Sequence, residues 1–398
     1  MTTINKIIKG EITLPASKSI SNRILIIHAI SNSFEPINNL SDCDDTKNLY
    51  NVLYSNTNKF DIGDAGTAMR FLTAYLSGII GKWELTGSKR MQERPIGELV
   101  DTLNKMGAQI EYLEEEGFPP LKILGSNLTN NKISLKGNIS SQFISAILLI
   151  APRFKEGFFI ELEGEITSQS YIEMTLSIMN EYGINSSFIN NSIMVEPGQY
   201  NTRSYTVESD WTSASYIYEC LALAKGGKIK LNTLKKNSFQ GDKNQISLWE
   251  KLGVKTFFSK RGMYIEKSDV MINHLKNDFS NMPDQVQSFA TTCCALGITF
   301  EFTGVETLKI KETDRIKALI TELSKLGYVL KYDGALSWDG STTNPIEVIE
   351  IETYGDHRMA MAFTPFAIAN EKISINNIEV VSKSYPTFWN DIESLGLI

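Results

Sequence analysis

The stretch VDTLNKMGAQIEY, residues 100–112, has the pattern of an amphipathic helix that ends at a glycine and is followed at once by a strand. Gly107 is the pivot, because many helices end with a residue in the left-handed conformation, which glycine adopts without a steric penalty. Such a cap is common in α/β proteins, so a single copy carries little information. The fold is indicated by the recurrence of this pattern along the chain.

Four further copies follow the same design, at residues 176–188 (LSIMNEYGINSSF), 246–258 (ISLWEKLGVKTFF), 320–332 (ITELSKLGYVLKY) and 388–398 (FWNDIESLGLI). Successive pivots are separated by 76, 70, 74 and 69 residues, and they are Gly107, Gly183, Gly253, Gly327 and Gly396. A degraded sixth copy without the glycine covers residues 45–60. We therefore predict about six related α/β units. Each is long enough for a βαβ unit with added strands, and two domains of three units each is the natural arrangement.

Length and composition restrict the possible function classes. The chain has 398 residues, 42% of them hydrophobic and 21% charged, which suits two or three folded domains and argues against disorder. The net charge is −7 and no basic stripe is present, so we expect no nucleic-acid partner. Anionic substrates stay possible, because a cleft in an acidic protein can be positive.

Cysteine and histidine usage argues against a metal site. The four cysteines form no CxxC pair and the three histidines are scattered, so we expect reduced thiols and no metal. The first residues, MTTINKIIKGEITLP, lack the apolar core of a signal peptide, and the longest apolar runs are too short to span a bilayer. We expect a cytoplasmic protein with no membrane partner.

Several short motifs place hydroxyls, glycines or cations beside predicted helix starts, where backbone N–H groups bind anions. They are LPASKSISNR (14–23), DIGDAGTAMRF (61–71), ISSQFISAILL (139–149), KIKETDRIKAL (309–319) and ETYGDHRMAMAF (352–363). Taken singly, each is explained as well by ordinary helix capping. Together they favour a cleft for two phosphates and a carboxylate, because the element ends carry Lys18, Arg23, Arg70, Arg90, Arg94, Lys311, Arg315, Arg358 and Lys383.

These motifs, with RMQERPIG, VESDWTSASY, NSFQGD, NMPD and KSYPTFW, resemble in their order the EPSP synthase family, the 3-phosphoshikimate 1-carboxyvinyltransferases. The match runs over nearly the whole chain. The resemblance implies an α/β fold, a two-domain inside-out α/β barrel built from six βαβαββ repeats, in agreement with the repeats above. It implies crossings near Pro15 and Asp210, so that residues 1–15 plus 210–398 form domain 1 and 16–209 form domain 2, with three repeats each. The active site is expected in the interdomain cleft, which closes on substrate.

The resemblance also assigns site residues. Those expected to bind shikimate 3-phosphate are Lys18, Ser19, Arg23, Ser140, Ser141, Gln142, Ser168, Tyr171, Asp284 and Lys311. Those expected to bind phosphoenolpyruvate are Lys18, Gly66, Arg94, Gln142, Arg315, Arg358 and Lys383. The reaction implied is transfer of the enolpyruvyl group to the 5-hydroxyl of shikimate 3-phosphate, a step of chorismate and aromatic amino acid biosynthesis. No cofactor and no metal are expected, and we expect a monomer.

The chemistry implied is addition followed by elimination. One carboxylate must take the hydroxyl proton, for which Asp284 is the candidate. A second group must manage the proton at C3 of phosphoenolpyruvate, for which Glu312 is the candidate, assisted by Lys18. Cationic side chains stabilise the anionic groups throughout. The division of proton transfers among these three residues is left open.

Some positions depart from the usual family pattern. Asp64 replaces a common Asn in the glycine-rich loop, Phe71 replaces a common Pro, Thr307 replaces a common Asn, and SQSY (168–171) replaces SKPY. The first two affect the expected sensitivity to glyphosate-like inhibitors rather than the reaction.

Two alternative functions are disfavoured by the sequence. A sister enolpyruvyl transferase acting on UDP-N-acetylglucosamine typically carries a Cys in the loop that here reads SKRMQERP, without one. A catalytically inactive binding homologue is disfavoured because Asp284, Glu312 and Lys18 are all present.

Overall fold

Helices and strands alternate along the chain in the computed structural model, which describes residues 2–260 and 262–398. The strands are β1 (Ile4–Thr13), β2 (Ile37–Asn38), β3 (Lys59–Asp61), β4 (Gly81–Thr86), β5 (Gln109–Tyr112), β6 (Leu121–Gly125), β7 (Lys132–Lys136), β8 (Phe158–Glu163), β9 (Ser186–Ile189), β10 (Ser192–Val195), β11 (Tyr205–Thr206), β12 (Ala224–Asn232), β13 (Val254–Ser259), β14 (Gly262–Lys267), β15 (His274–Asp278), β16 (Thr299–Thr303), β17 (Lys331–Asp333), β18 (Ala335–Trp338), β19 (Ile349–Ile351) and β20 (Ile373–Ile375).

The helices are α1 (Lys18–Ser31), α2 (Asp44–Leu53), α3 (Gly66–Ser77), α4 (Lys89–Gln92), α5 (Gly97–Lys105), α6 (Ser141–Ile150), α7 (Gln169–Glu181), α8 (Trp211–Leu223), α9 (Ile246–Lys251), α10 (Val286–Leu296), α11 (Arg315–Lys325), α12 (His357–Ala369) and α13 (Phe388–Ser394). Short 3₁₀ turns cover Ala151–Arg153, Gly241–Gln245, Pro283–Gln285, Glu306–Ile310 and Ile378–Lys383.

One strand arrangement is repeated four times within the described residues. The four-stranded sheets have the orders β3-β4-β6-β5, β7-β8-β10-β9, β15-β16-β18-β17 and β1-β12-β14-β13. In each, the first two strands are parallel and the last two pairings are antiparallel. In the first three sheets a helix crosses between the parallel strands and at least one helix precedes the hairpin, which gives the order βαβαββ. In the fourth sheet all of unit 2 of the chain, residues 16–207, is inserted between β1 and α8, the helix that leads into β12. The mixed α/β class and the repeated unit are confirmed.

Two further units are reduced. Among residues 2–260 and 262–398, strand β2 pairs only with β11, and β19 pairs only with β20, both in parallel. The strand predicted after Gly396 is wrong, because the described residues that follow α13 are not in a strand. Instead the Leu397 N–H donates to the Ile392 carbonyl, so this segment closes the helix end. Six units are therefore recognisable, four of them complete.

The pivot glycines behave as the sequence predicts. Gly107 has a φ of +105°, and Gly183, Gly253, Gly327 and Gly396 also have positive φ. A strand follows each of the first four pivots. The degraded copy at residues 45–60 forms α2 and leads into β3 without a glycine.

The chain divides into two compact units. Unit 1 consists of Met1–Pro15 and Glu208–Ile398, and unit 2 of Ala16–Val207. In unit 1 the helices α8, α10 and α12 are buried almost throughout, and in unit 2 the same holds for α3 and α6. A helix that is apolar on all sides belongs in a core. The helices that carry predicted site residues at their N-terminal ends are therefore held rigidly by packing.

Candidate active site

An arginine at the start of α11 gathers three carboxylates in unit 1. Arg315 is almost fully buried, and its Nη1 donates to Asp284 at 2.8 Å, its Nη2 to Glu312 at 2.8 Å, and its Nε to Asp356 at 2.7 Å. Glu312 lies three residues earlier, so the helix start itself brings that pair together. The other two carboxylates come from distant parts of the sequence. A guanidinium with this many charged partners is fixed in position.

A second arginine shares one of those carboxylates. Arg358, the second residue of α12, donates from Nη2 to Asp284 Oδ2 at 2.8 Å and from Nη1 to the Tyr216 hydroxyl at 3.3 Å. Asp284 therefore bridges Arg315 and Arg358 with its two separate oxygens. Lys383 completes the group, with its Nζ 3.3 Å from Glu312 Oε1.

The charges in this cluster set the pKa of Asp284. Burial alone would raise it, but Arg358, Lys311 and Arg315 outweigh burial and hold the pKa of Asp284 far below its usual range. Burial likewise works against the charged form of Arg315, yet Asp356, Glu312 and Asp284 raise the pKa of its guanidinium. Both groups are ionised at neutral pH.

The helix N-termini of unit 2 carry most of the remaining predicted residues. Lys18 begins α1, Gly66 begins α3, and Ser140 caps α6, where its Oγ accepts from the Gln142 N–H at 3.3 Å. The Gln142 side chain donates to Thr67 at 3.3 Å, which joins the starts of α6 and α3. Backbone N–H groups at such ends, together with the helix dipole, favour anions.

Arg94 packs directly on the glycine-rich loop. A Cβ at Gly66 would lie 2.7 Å from Arg94 Nη1 and 2.9 Å from Nη2, so only glycine leaves room for this guanidinium. Arg94 is 7% exposed, and within the part of the chain that the structure describes its Nε has no hydrogen-bond partner. A largely buried cation with unused donor capacity beside a helix start is suited to bind an anion.

The N–H groups of Arg23 donate mainly to other groups of the protein. Its Nε donates to Thr175 at 2.7 Å, its Nη1 to the Ser19 carbonyl at 2.8 Å, and its Nη2 to Ser145 at 3.1 Å and the Tyr171 carbonyl at 3.2 Å. Four of the five N–H groups of an arginine are thus occupied. Burial lowers the pKa of Arg23 to about 10. The geometry makes Arg23 a support for the backbone at Ser19 and Tyr171, and its predicted contact with substrate stays a prediction.

Lys18 and Ser168 have distinct surroundings. Lys18 Nζ lies 3.2 Å from Asp45 Oδ2, a partner that the sequence did not reveal. Ser168 caps α7 in the left-handed conformation, with φ +56°, and its hydroxyl makes no capping hydrogen bond to the helix. A buried serine held in an unusual backbone conformation is typical of a functional position.

Comparisons with known proteins show the family to which the chain belongs. The family model described as EPSP synthase (3-phosphoshikimate 1-carboxyvinyltransferase) matches residues 2–56 and 50–392. A 3-phosphoshikimate 1-carboxyvinyltransferase of Bacteroides fragilis strain YCH46 is 50% identical over 392 residues, which cover 98% of this chain and 96% of that protein. The chain belongs to the EPSP synthase family. A relative of the same name from Vibrio atlanticus is 36% identical, covering 98% of this chain and 97% of its own.

A solved structure shares the fold of this EPSP synthase family member. The EPSP synthase from Acinetobacter baumannii, at 2.37 Å, superposes with a TM-score of 0.74, at 22% sequence identity, covering all of this chain and 98% of that one. No helix among residues 2–260 and 262–398 is long and apolar enough to cross a membrane. In the same residues no group of three His, Cys, Asp or Glu side chains could hold a metal ion.

The departures from the family pattern have local explanations. The Ser88 hydroxyl donates to Asp64, so a neighbouring side chain occupies this carboxylate. Phe71 is buried and its ring lies under the Arg23 guanidinium, 5.5 Å from centroid to Cζ. Thr307 has a buried hydroxyl that lacks a hydrogen-bond partner in the described structure.

The sequence did not indicate a role for three residues around the cluster of Arg315, Arg358 and Asp284 in unit 1. Asp356 binds Arg315 and also caps α12 by accepting from the Arg358 N–H at 2.9 Å. Tyr216 contacts Arg358, and Asp242, next to α8, accepts from the Thr212 hydroxyl. Asp356 lies in ETYGDHRMAMAF and Asp242 lies in NSFQGD, so both residues belong to motifs that carry the family resemblance. Tyr216 carried no signal, because a Tyr within an apolar helix normally indicates core.

Proposed function

We propose that this chain transfers the enolpyruvyl group of phosphoenolpyruvate to the 5-hydroxyl of shikimate 3-phosphate and releases inorganic phosphate. Membership of the EPSP synthase family supports the reaction. The single observation that carries the proposal is the Asp284 cluster, which places a carboxylate and two arginines within hydrogen-bond distance. Bidentate arginines suit a substrate that carries both a carboxylate and a phosphate.

The predicted residues are assigned to the two substrates, and Lys18 and Gln142 are assigned to both. Arg315, Arg358 and Lys383 are proposed to bind phosphoenolpyruvate, together with Lys18, Gln142 and the Arg94 guanidinium on Gly66. The 3-phosphate of shikimate is proposed to bind at Ser140, Ser141 and Ser168, where helix N-termini supply N–H donors. Its ring is proposed to contact Ser19, Arg23, Tyr171, Lys311 and Asp284.

The addition step forms one C–O bond. The 5-hydroxyl oxygen attacks C2 of phosphoenolpyruvate, its proton passes to Asp284, and C3 accepts a proton from Lys18 or from Glu312 in its protonated form. The product is a tetrahedral ketal phosphate. Elimination then breaks the C2–O bond to phosphate, the proton lost from C3 returns to the group that donated it, and Asp284 passes its proton to the departing phosphate. This step forms the enol ether of the product. The cations stabilise the negative charge on both sides of this intermediate.

Asp284 becomes a competent base only when its arginines are drawn away. While Arg358 and Arg315 hold both of its oxygens, the pKa of Asp284 is too low for efficient proton abstraction. The carboxylate and phosphate of phosphoenolpyruvate compete for the same guanidinium groups. Binding of this substrate therefore raises the pKa of Asp284 at the moment when the base is needed.

The decisive experiment measures phosphate release. The purified chain is incubated with phosphoenolpyruvate and either shikimate 3-phosphate, shikimate or UDP-N-acetylglucosamine. The proposal expects rapid release with shikimate 3-phosphate alone. Release with the nucleotide sugar would favour the sister transferase, and binding of shikimate 3-phosphate without release would indicate an inactive homologue.

The molecular setting is also proposed. We expect the chain to act as a monomer in the cytoplasm. Light scattering on the eluting protein gives the mass directly, and a dimer mass would contradict the expectation.

A further inference from the structure

The inference concerns the turn at Thr353–Asp356, which leads into α12. The Asp356 N–H donates to the Thr353 carbonyl at 2.9 Å, and both central residues have positive φ, +54° at Tyr354 and +67° at Gly355. These signs match a type I′ turn, whose central positions favour Gly and Asn. Glycine at the second position is expected, but a bulky tyrosine in the left-handed region is unusual. Something outside the turn must hold Tyr354 there.

The buried carboxylate of Glu322 keeps Tyr354 in this conformation. The Tyr354 hydroxyl donates to Glu322 Oε1 at 2.6 Å, and the Glu352 N–H donates to Glu322 Oε2 at 3.0 Å. Lys325 Nζ, 2.6 Å from the same oxygen, balances the charge and also donates to the Glu350 carbonyl at 2.9 Å. Glu322 is fully buried, whereas Tyr354 is 38% exposed. The fully buried acid therefore reaches the segment on both sides of Thr353.

Helix α11, which carries Glu322, also contacts the other end of the turn. Glu322 lies seven residues after Arg315 on α11, two helical turns along the same face. Arg315 binds Asp356 through Nε at 2.7 Å. Thus α11 holds the turn at Tyr354 and at Asp356 with two side chains from one face.

The arginines of the cluster depend on where this turn lies. Asp356 fixes the Arg315 guanidinium and caps α12, and Arg358 follows two residues later with its Nη2 on Asp284. A displaced turn would move the partner of one arginine and the backbone of the other. Neither Tyr354 nor Glu322 contacts the guanidinium groups themselves.

We propose that Tyr354 and Glu322 are positioning residues that set Arg315 and Arg358 for phosphoenolpyruvate through the Thr353–Asp356 turn. This inference rests on the proposed function, because it takes the two arginines as the binding groups for that substrate. Recognition of phosphoenolpyruvate then depends on the Tyr354–Glu322 hydrogen bond, which lies outside the assigned site.

The test is Tyr354→Phe, which removes only the hydroxyl and keeps the ring. We expect the KM for phosphoenolpyruvate to rise about tenfold, the factor that corresponds to loss of one ordinary hydrogen bond. The KM for shikimate 3-phosphate is expected to change less than twofold. The melting temperature should fall by a few degrees, because the buried Glu322 Oε1 loses its hydrogen-bond donor.

Tyr218→Phe is the matched control. It removes a tyrosine hydroxyl that lies 2.7 Å from Thr256, in the same unit but bonded to a sheet residue. This change should lower stability without raising either KM selectively. Glu322→Gln keeps an acceptor for the Glu352 N–H, and the double variant with Tyr354→Phe should be no worse than the poorer single variant, as expected for residues that act as a unit.

The outcomes separate this inference from the function it rests on. If the unaltered chain does not release phosphate with shikimate 3-phosphate, the proposed function fails. If it does so and Tyr354→Phe leaves the KM for phosphoenolpyruvate unchanged, or raises both KM values equally, the positioning role is overturned. Should Tyr354→Phe fold poorly, Glu322→Gln must show the selective rise, and its absence would overturn the inference.

Discussion

Asp284 and Arg358 form an ion pair in which Oδ2 of Asp284 lies 2.8 Å from Nη2 of Arg358, although 74 residues separate them in the chain. The other oxygen of Asp284 is bound by Arg315. The proposed base is therefore also a ligand of the two arginines proposed to bind substrate. Any change at this carboxylate affects both proton transfer and the placement of the guanidinium groups.

Asp284→Asn separates these two functions in part. The amide keeps the size and one acceptor oxygen but cannot take a proton, so we expect turnover to fall by roughly 10²–10⁴. Phosphate release under saturating substrates measures the change, and calorimetric binding of shikimate 3-phosphate should be largely retained. Near-normal turnover would show that another group removes the hydroxyl proton.

Gly66→Ala tests the packing of Arg94 on the glycine-rich loop. The new Cβ would lie 2.7 Å from Nη1, so the guanidinium must move. Because the displaced guanidinium loses its proposed contact with the substrate, we expect binding of phosphoenolpyruvate to weaken by on the order of 1.5–3 kcal/mol, the range for a hydrogen bond to a charged group. Gly66 lacks a positive φ, so the backbone tolerates alanine.

Gly226→Ala is the control for this change, because a Cβ there meets nothing within 4 Å. It should leave the KM for phosphoenolpyruvate unaltered. Equal effects of the two substitutions on that KM would remove the argument for an anion site at Arg94.

The sequence pattern was sufficient to predict four of the five helix–glycine–strand copies and the recurrence of an α/β unit, but not the end of the fifth copy. Helix-ending glycines such as Gly107 depend only on neighbouring residues, so their spacing identified the units. The motif residues at helix starts, such as Ser140, were predictable because capping chemistry is local.

Contacts between distant segments were not predictable in this way. Nothing near Tyr354 indicates Glu322, which lies 32 residues earlier. The family resemblance assigned Arg23 to the shikimate end of the site, but the sequence did not reveal that its N–H groups mostly donate to Thr175, Ser145 and carbonyls brought close by folding. Such pairings arise from topology, which places α1 beside α7, and single-sequence patterns contain no record of them.

Ser168→Ala tests recognition of the 3-phosphate. The serine hydroxyl makes no capping bond, so its removal should not shorten α7. We expect shikimate 3-phosphate to bind about 0.5–3 kcal/mol more weakly, the span from a neutral to a charge-assisted hydrogen bond. Titration calorimetry with unphosphorylated shikimate should show a much smaller loss.

Because Ser168 has a φ of +56°, Ser168→Gly is a necessary companion. Glycine relieves backbone strain while also removing the hydroxyl. If the glycine variant binds shikimate 3-phosphate normally, the loss in the alanine variant reflects strain rather than a missing phosphate contact.

Asp242→Asn tests a buried acid beside the cluster. Burial raises the pKa of Asp242 to about 7, an effect that Asp284 and Asp210 increase and that the Thr212 hydroxyl and Arg358 oppose. The folded chain thus binds a proton here more readily than the unfolded chain, whose aspartates titrate near 3.8. The resulting stability is complete below pH about 4 and is lost as the pH rises through 7.

Asparagine keeps an acceptor for Thr212 but never becomes charged, so the variant should be more stable than the unaltered chain at pH 8, by on the order of 2 kcal/mol. The two should converge near pH 4. Urea unfolding at several pH values measures the difference, with exposed Asp333→Asn as the control for loss of a carboxylate. A stability difference that does not grow between pH 4 and pH 8 would mean that Asp242 is ionised throughout and is stabilised by the arginines instead.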